Sequence, residues 1–131
     1  MTENKATILV VEDDKSLQDA IRIKLEKNGF FVITARTVVQ AYDYLKEISK
    51  INVVWLDHYL LGEESGLDLV VKIKGNKKFK KIPIFVVSNT AGAEKIKSYI
   101  NLGIHKYYTK SDCRLDNIIS DIKEYLGQTE K

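Results

Sequence analysis

The sequence predicts an α/β fold in which a parallel β-sheet is covered by helices on both faces. Five short runs rich in branched or aromatic residues recur along the 131 residues. Longer segments with apolar residues at three- and four-residue spacing separate these runs, as expected of amphipathic helices. Several of the short runs are continuously apolar, which is typical of strands that are buried on both faces of a sheet.

The five runs are predicted to be strands, and they lie at residues 7–11, 30–34, 52–56, 84–88 and 105–108. The segments between them read as helices, because Leu17, Ile21 and Leu25 recur at helical spacing, as do Val38, Ala41 and Leu45 in the next segment. Three helices are each followed by a glycine, predicted to be a left-handed helix end: Gly29, Gly75 and Gly103. The last helix is predicted over about 112–126, ending at Gly127.

The composition is that of one soluble domain spanning residues 1–131, with a core over about 6–126. Charged residues of both signs are interspersed and the formal net charge is only +3, so we expect no nucleic-acid or membrane partner. No apolar run approaches the roughly 18 to 20 residues of a membrane span, and no signal-peptide pattern begins the chain. We therefore expect a cytoplasmic protein.

Cysteine and histidine are too few for two common kinds of site. Cys113 is the single cysteine, which excludes an internal disulfide, and we expect it to be an ordinary free thiol. His58 and His105 are the two histidines, so a cysteine and histidine zinc site is excluded as well. Any metal must be one that prefers oxygen ligands.

Polar side chains follow the predicted strands where ligands bind in open parallel sheets, at the carboxyl ends. These residues are Glu12, Asp13, Asp14, Asp57, Ser88 and Lys110. Clustered carboxylates repel one another unless a cation joins them, and Mg²⁺ suits such a cluster because it prefers oxygen ligands. One carboxylate could then attack phosphorus to form an aspartyl phosphate, whose oxygens an amine and a hydroxyl would contact.

Some of these residues have simpler explanations. Asp14 is predicted to be the cap of the first helix rather than a metal ligand. His58 is predicted to be a loop or surface residue, because strand alternation points it away from Asp57. The basic run at residues 77–81 is interpreted as a solvated loop, since one short run offers few phosphate contacts.

Five segments together carry a family resemblance: ILVVEDD at 8–14, VWLD at 54–57, GLD at 66–68, IPIFVVS at 82–88 and YYTK at 107–110. Through them the chain resembles the receiver domains of two-component response regulators along nearly its whole length. This resemblance implies the flavodoxin-like receiver fold, a five-stranded parallel sheet in the order 2-1-3-4-5.

The resemblance also implies a signalling function rather than an enzyme that acts on other substrates. Asp57 would accept a phosphoryl group from a sensor histidine kinase or a histidine phosphotransfer protein. Magnesium, or manganese in its place, would be held by Glu12, Asp13, Asp57 and the backbone carbonyl of Tyr59. Lys110 and Ser88 would contact the phosphoryl group, and Ser88 with Tyr107 would form the switch. A separate downstream protein would bind the surface of helix 4, strand 5 and helix 5, and the chain would be a monomer or a weak dimer.

Ser111, Leu61 and Asn89 depart from the pattern that is common in this family. Ser111 follows Lys110 where a proline with a cis bond is common, and we predict a trans bond because a cis bond to a non-proline residue costs about 3 kcal/mol. Tyr59 is bulky, which motivates the hypothesis of a long-lived phosphorylated state.

Two alternatives stay open. One is a degenerate receiver that binds a protein partner without phosphorylation, which the altered loop after Lys110 faintly favours. The other is a haloacid-dehalogenase-like phosphatase, which also uses an aspartate nucleophile. That class normally has a second acid two residues after the nucleophile, where this chain has Tyr59.

Overall fold

The fold alternates strands and helices, as predicted. A computed structural model describes residues 5–89 and 92–129, without the side chains of 128 and 129. The elements are β1 (Thr7–Val11), α1 (Lys15–Lys27), β2 (Phe31–Ala35), α2 (Val38–Glu47), β3 (Val53–Leu56), α3 (Gly66–Lys74), β4 (Ile84–Ser88), α4 (Ala93–Asn101), β5 (Lys106–Thr109) and α5 (Leu115–Thr129). No helix within the described residues is long and apolar enough to cross a membrane.

The strands form one parallel sheet in the order β2-β1-β3-β4-β5, which confirms the predicted class and order. Val11 at the end of β1 pairs with Ala35 on one side and with Leu56 on the other. The amide of Asp57 donates to the carbonyl of Val11 at 2.9 Å. The carboxyl ends of β1 and β3 are therefore aligned in the sheet, and the residues that follow these two strands are neighbours.

Alternation along each strand divides the core into two layers. Leu9 and Val54 face the layer that contains residues of α2, α3 and α4. Val10 and Trp55 face the layer that contains residues of α1 and α5. Burial on both faces explains why the central strands are apolar throughout.

The helix ends agree only in part with the sequence. Asp14 caps α1, as predicted, because its side chain accepts a hydrogen bond from the amide of Leu17 at 3.1 Å. Gly29 and Gly103 have φ of 90°, as expected of left-handed helix ends. The prediction for Gly75 is wrong, since its φ is −80°. The chain continues from α3 into a further turn, in which the amide of Phe79 donates to Asn76, so no left-handed residue is needed.

The predicted limits of α5 were also wrong. The helix begins at Leu115 because Asp112 belongs to a turn after β5, where its amide donates to Thr109 at 3.0 Å. Gly127 lies inside the helix, which continues to Thr129. A glycine in a helix costs only about 1 kcal/mol relative to alanine and does not by itself end the helix. Strands β2, β3 and β5 each begin one residue later than predicted.

Candidate functional site

Three of the predicted carboxylates meet at the carboxyl edge of the sheet. One oxygen from each of Glu12, Asp13 and Asp57 lies within 4.8 Å of the other two. Glu12 and Asp57 are 1% and 4% exposed, whereas Asp13 is half-buried. Oxygen ligands from distant parts of the chain, held this close together, are suited to a hard divalent cation such as Mg²⁺.

Lys110 lies between the two buried carboxylates of this cluster. Its Nζ donates to Oε1 of Glu12 at 2.9 Å and is 3.4 Å from Oδ2 of Asp57. The other oxygens have their own donors, since the amide of Asp14 donates to Oε2 of Glu12 and the amide of His58 donates to Oδ1 of Asp57. Both carboxylates are therefore fixed in place by hydrogen bonds.

Within this cluster the pKa of Glu12 is strongly shifted. Burial raises the pKa of Glu12 to about 7; the hydrogen bond from Lys110 opposes this shift and the charge of Asp57 adds to it. Burial lowers the pKa of Lys110, but its hydrogen bond to Glu12 and the charges of both carboxylates more than reverse this and raise it overall. A bound divalent cation would favour the ionised form of Glu12, because a metal ligand must be deprotonated.

Ser88 and Tyr107 lie beside this cluster on neighbouring strands. Ser88 is fully buried at the end of β4, and its carbonyl accepts a hydrogen bond from the amide of Lys110 at 2.9 Å. Burial raises the pKa of Tyr107, and a hydrogen bond with the Ser88 side chain partly opposes that shift. The structure thus places the predicted hydroxyl, lysine and aromatic residue together.

Two residues that support the site were missed in the sequence. Gln18 is buried in α1, and its amide nitrogen donates to the carbonyls of Glu12 at 3.0 Å and Ala35 at 3.1 Å. Its position, at helical spacing before Ile21, could have revealed it, because a polar residue on a buried face needs partners. Arg36 donates twice to the carbonyl of Asp13, at 2.7 and 3.1 Å, and no local pattern indicates this contact.

His58 was predicted to be a loop or surface residue, and the expectation of an exposed side chain is wrong. The residue does lie in the loop after β3, but it is only 7% exposed, and its Nδ1 is 2.6 Å from the Tyr99 hydroxyl. Strand alternation does not apply here because β3 has already ended at Leu56. Burial, and next the charge of Lys95, lower the pKa of the His58 ring.

The Lys110–Ser111 peptide bond is trans, as predicted, and no peptide bond among the described residues is cis. Lys110 nevertheless reaches both buried carboxylates. A proline after the lysine is therefore not required to place the ammonium group in this site.

Comparisons with known proteins agree with this geometry. A sequence profile of the response regulator receiver domain matches residues 8–123. The chemotaxis protein CheY1 of Helicobacter pylori is 29% identical over 104 residues, which cover 79% of this chain and 83% of that protein.

Solved structures show the same similarity. The phosphorylated cyanobacterial phytochrome response regulator RcpA is 25% identical, with a TM-score of 0.80 over 93% of this chain and 91% of that one. A CheY-like receiver domain protein from Methanospirillum hungatei shares the fold at 24% identity, with a TM-score of 0.86 over 97% of this chain and 98% of that one. Because the profile covers most of its length, the chain belongs to the response regulator receiver domain family.

Proposed function

We propose that this chain is a phosphoacceptor receiver domain that spans residues 1–131 and accepts a phosphoryl group on Asp57. The donor would be a phosphohistidine of a sensor histidine kinase or of a histidine phosphotransfer protein. The observation that carries this proposal is the position of the Lys110 ammonium group, between the buried carboxylates of Glu12 and Asp57. The phosphorylated state of the relative RcpA supports it.

The transfer exchanges one bond to phosphorus for another. An oxygen of Asp57 attacks phosphorus and forms an O–P bond, while the P–N bond to the donor histidine breaks. The electron pair of the broken bond returns to the imidazole nitrogen, which then binds a proton. The product is an aspartyl phosphate, which is a recognised covalent intermediate of nucleophilic catalysis.

A magnesium ion would be held by Glu12, Asp13, Asp57 and the backbone carbonyl of Tyr59, and the acidic cluster supports this assignment. When bound, the ion supplies positive charge that offsets the charge on the phosphoryl oxygens. Lys110 would contact one phosphoryl oxygen as a point charge, and the hydroxyl of Ser88 would donate to another. These groups come from rigid strand ends, which favours a reproducible geometry around Asp57.

The consequence of phosphorylation would be a change in the surface formed by α4, β5 and α5, with Ser88 and Tyr107 as the switch. A separate downstream protein in the cytoplasm would bind that surface, and the chain would remain a monomer or a weak dimer. Its only reactions would be its own phosphorylation and dephosphorylation.

The proposal is tested by comparing two kinds of phosphate donor in the presence of Mg²⁺. We expect acetyl phosphate to modify the protein, and we expect no turnover of a stable phosphate monoester. Chelation of the metal should abolish the modification. Repeated turnover of the monoester would instead support a haloacid-dehalogenase-like phosphatase. No reaction with either donor would support a degenerate receiver that binds a protein partner without phosphorylation.

Tyr59 is expected to slow hydrolysis of the aspartyl phosphate. It lies two residues after Asp57, its side chain is 48% exposed, and its hydroxyl is 3.3 Å from Nζ of Lys95. Our hypothesis is that this bulky ring, so near Asp57 in sequence, obstructs the approach of water to the acyl phosphate. We expect Tyr59→Ala to raise the dephosphorylation rate about fivefold, which corresponds to about 1 kcal/mol of activation free energy.

The measurement is the decay of the phosphorylated protein after removal of the donor, followed by intact mass. Tyr59→Phe is the matched control, since it keeps the ring and loses only the hydroxyl, and its rate should stay near that of the wild type. An unchanged rate in Tyr59→Ala would show that the ring does not protect the acyl phosphate.

A further inference from the structure

A buried hydrogen bond connects the loop after β3 to α4. Nδ1 of His58 lies 2.6 Å from the hydroxyl of Tyr99, and the two rings meet edge to face with centroids 5.7 Å apart. Both side chains are buried, and that of Tyr99 is fully inaccessible. A hydrogen bond in such surroundings is strong, and it is costly to leave unmade.

Tyr99 is the anchor of α4. It is the fully buried residue of that helix, whose other side chains are exposed or half-buried. Its ring also lies 5.9 Å from that of Tyr107. A change at the Tyr99 hydroxyl would therefore act on the residue that holds α4 against the core.

The backbone of His58 is hydrogen bonded directly to Asp57. Its amide donates to Oδ1 of Asp57 at 2.8 Å, and its carbonyl accepts from the amide of Gly66 at 2.8 Å. A hydrogen bond to an ionised carboxylate is roughly twice as strong as one between neutral groups. Phosphorylation converts the carboxylate of Asp57 into an acyl phosphate, so the amide of His58 loses its ionised acceptor.

We propose that the hydrogen bond between His58 and Tyr99 transmits the state of Asp57 to α4, with both residues acting as positioning residues. This inference rests on the proposed phosphoacceptor function and names a route besides that of Ser88 and Tyr107. When the hydrogen bond from the His58 amide to Asp57 weakens, the His58 ring shifts. Tyr99 follows the ring and moves α4. The two routes meet where the rings of Tyr99 and Tyr107 come together.

A second contact between the same segments provides an internal control. Lys95 lies one turn before Tyr99 on α4, and its Nζ is 3.3 Å from the hydroxyl of Tyr59. This contact is exposed, and exposed contacts of a flexible lysine contribute little. Loss of the Lys95 side chain should therefore leave transmission nearly intact.

The test measures hydrogen exchange of the α4 amides with and without beryllofluoride and Mg²⁺, a stable mimic of the acyl phosphate. Uptake of phosphoryl from acetyl phosphate is followed in parallel by intact mass. We expect the wild type to show a change in α4 exchange, and Tyr99→Phe to reduce that change about fivefold, a typical size for coupling between sites. Phosphoryl uptake by Tyr99→Phe should persist, because its ring and the acceptor residues are retained.

Four further variants separate transmission from general loss of packing. Tyr42→Phe removes a tyrosine hydroxyl that accepts a hydrogen bond from Asn76 elsewhere in the structure, and Lys95→Met removes the exposed contact. Both should respond like the wild type. His58→Phe should reduce the response about as much as Tyr99→Phe does, and combining the two should cause no further loss, because the two residues act as one unit.

The outcomes distinguish a failure of this inference from a failure of the proposed phosphoacceptor function. A full α4 response in Tyr99→Phe, or additive losses in the double variant, would overturn the role of the hydrogen bond while leaving Asp57 as the acceptor. Phosphorylation of the wild type without any α4 response would do the same. Failure of the wild type to take up phosphoryl would overturn both. If Tyr99→Phe does not fold, His58→Phe decides the question by the same comparison.

Discussion

Replacing Lys110 with methionine is expected to lower the free energy of unfolding by about 3 kcal/mol near pH 8, because removal of one partner leaves buried charges uncompensated. The side chains of Glu12 and Asp57 are 2% and 5% exposed, and that of Lys110 is 18% exposed. Methionine keeps the apolar stem of lysine, so the variant removes mainly the charge. The measurement is urea unfolding in the absence of divalent cations.

The loss should depend on pH in a defined direction. The pKa of Glu12 is raised from its ordinary 4.5 to about 7, so its favourable contribution is complete below the unfolded value and disappears as pH rises through about 7. Near pH 5.5 Glu12 is mostly protonated, and Lys110→Met should cost less there than near pH 8. Mg²⁺ should restore part of the loss at the higher pH, because it also neutralises the cluster.

The control for this variant is Lys15→Met, which removes an exposed ion pair. Nζ of Lys15 lies 2.6 Å from Asp19, and the two side chains are 64% and 39% exposed. Exposed pairs of this kind contribute little to stability, so the change should be small at both pH values. An equally small effect of Lys110→Met would contradict the account of a buried cluster neutralised by lysine.

Replacing Gly66 with alanine is expected to disturb the acceptor itself. A Cβ at this position would lie 2.5 Å from the backbone carbonyl oxygen of Asp57 and 2.9 Å from the hydroxyl of Tyr99. Backbone must therefore shift, and we expect the free energy of unfolding to fall by about 2 to 3 kcal/mol. A displacement of about 1 Å at the reacting group can reduce a rate about 100-fold, so phosphoryl uptake should slow strongly.

Gly127→Ala is the matched control for this change. Gly127 lies in α5, and a Cβ added there would meet no neighbouring group within 4 Å among the described residues, so alanine fits without a clash. Because alanine is the better helix former, we expect a gain of about 0.5 kcal/mol or no change. Folding and phosphoryl uptake in Gly66→Ala equal to those of the wild type would show that the close approach to Asp57 is unimportant.

The sequence was sufficient for the class of fold because the strands and helices have different apolar periodicities. The order of the strands came from the family resemblance, and the structure confirms it. Local patterns were weaker at element ends. Gly75 and Gly127 both looked like stop signals, but a glycine permits a left-handed turn and does not impose one.

The main residues of the site could be found because they follow strands that end at one edge of the sheet. The residues that hold these side chains in position could not be found in the same way. Arg36 reaches Asp13 only because β2 lies beside β1, and His58 meets Tyr99 across 41 positions of sequence. Such contacts depend on tertiary packing, which no local pattern records. The proposed route from Asp57 to α4 runs through one of them.

The central claim is that Asp57 is the phosphoacceptor, and intact mass tests it most directly. The wild type and Asp57→Asn are each incubated with acetyl phosphate, with Mg²⁺ or with a chelator. Asparagine keeps the shape of aspartate and lacks the anionic oxygen that attacks phosphorus. The account predicts one added phosphoryl group on the wild type with Mg²⁺, and none on the variant or on the chelated wild type. Equal modification of Asp57→Asn, or an unmodified wild type, would contradict it.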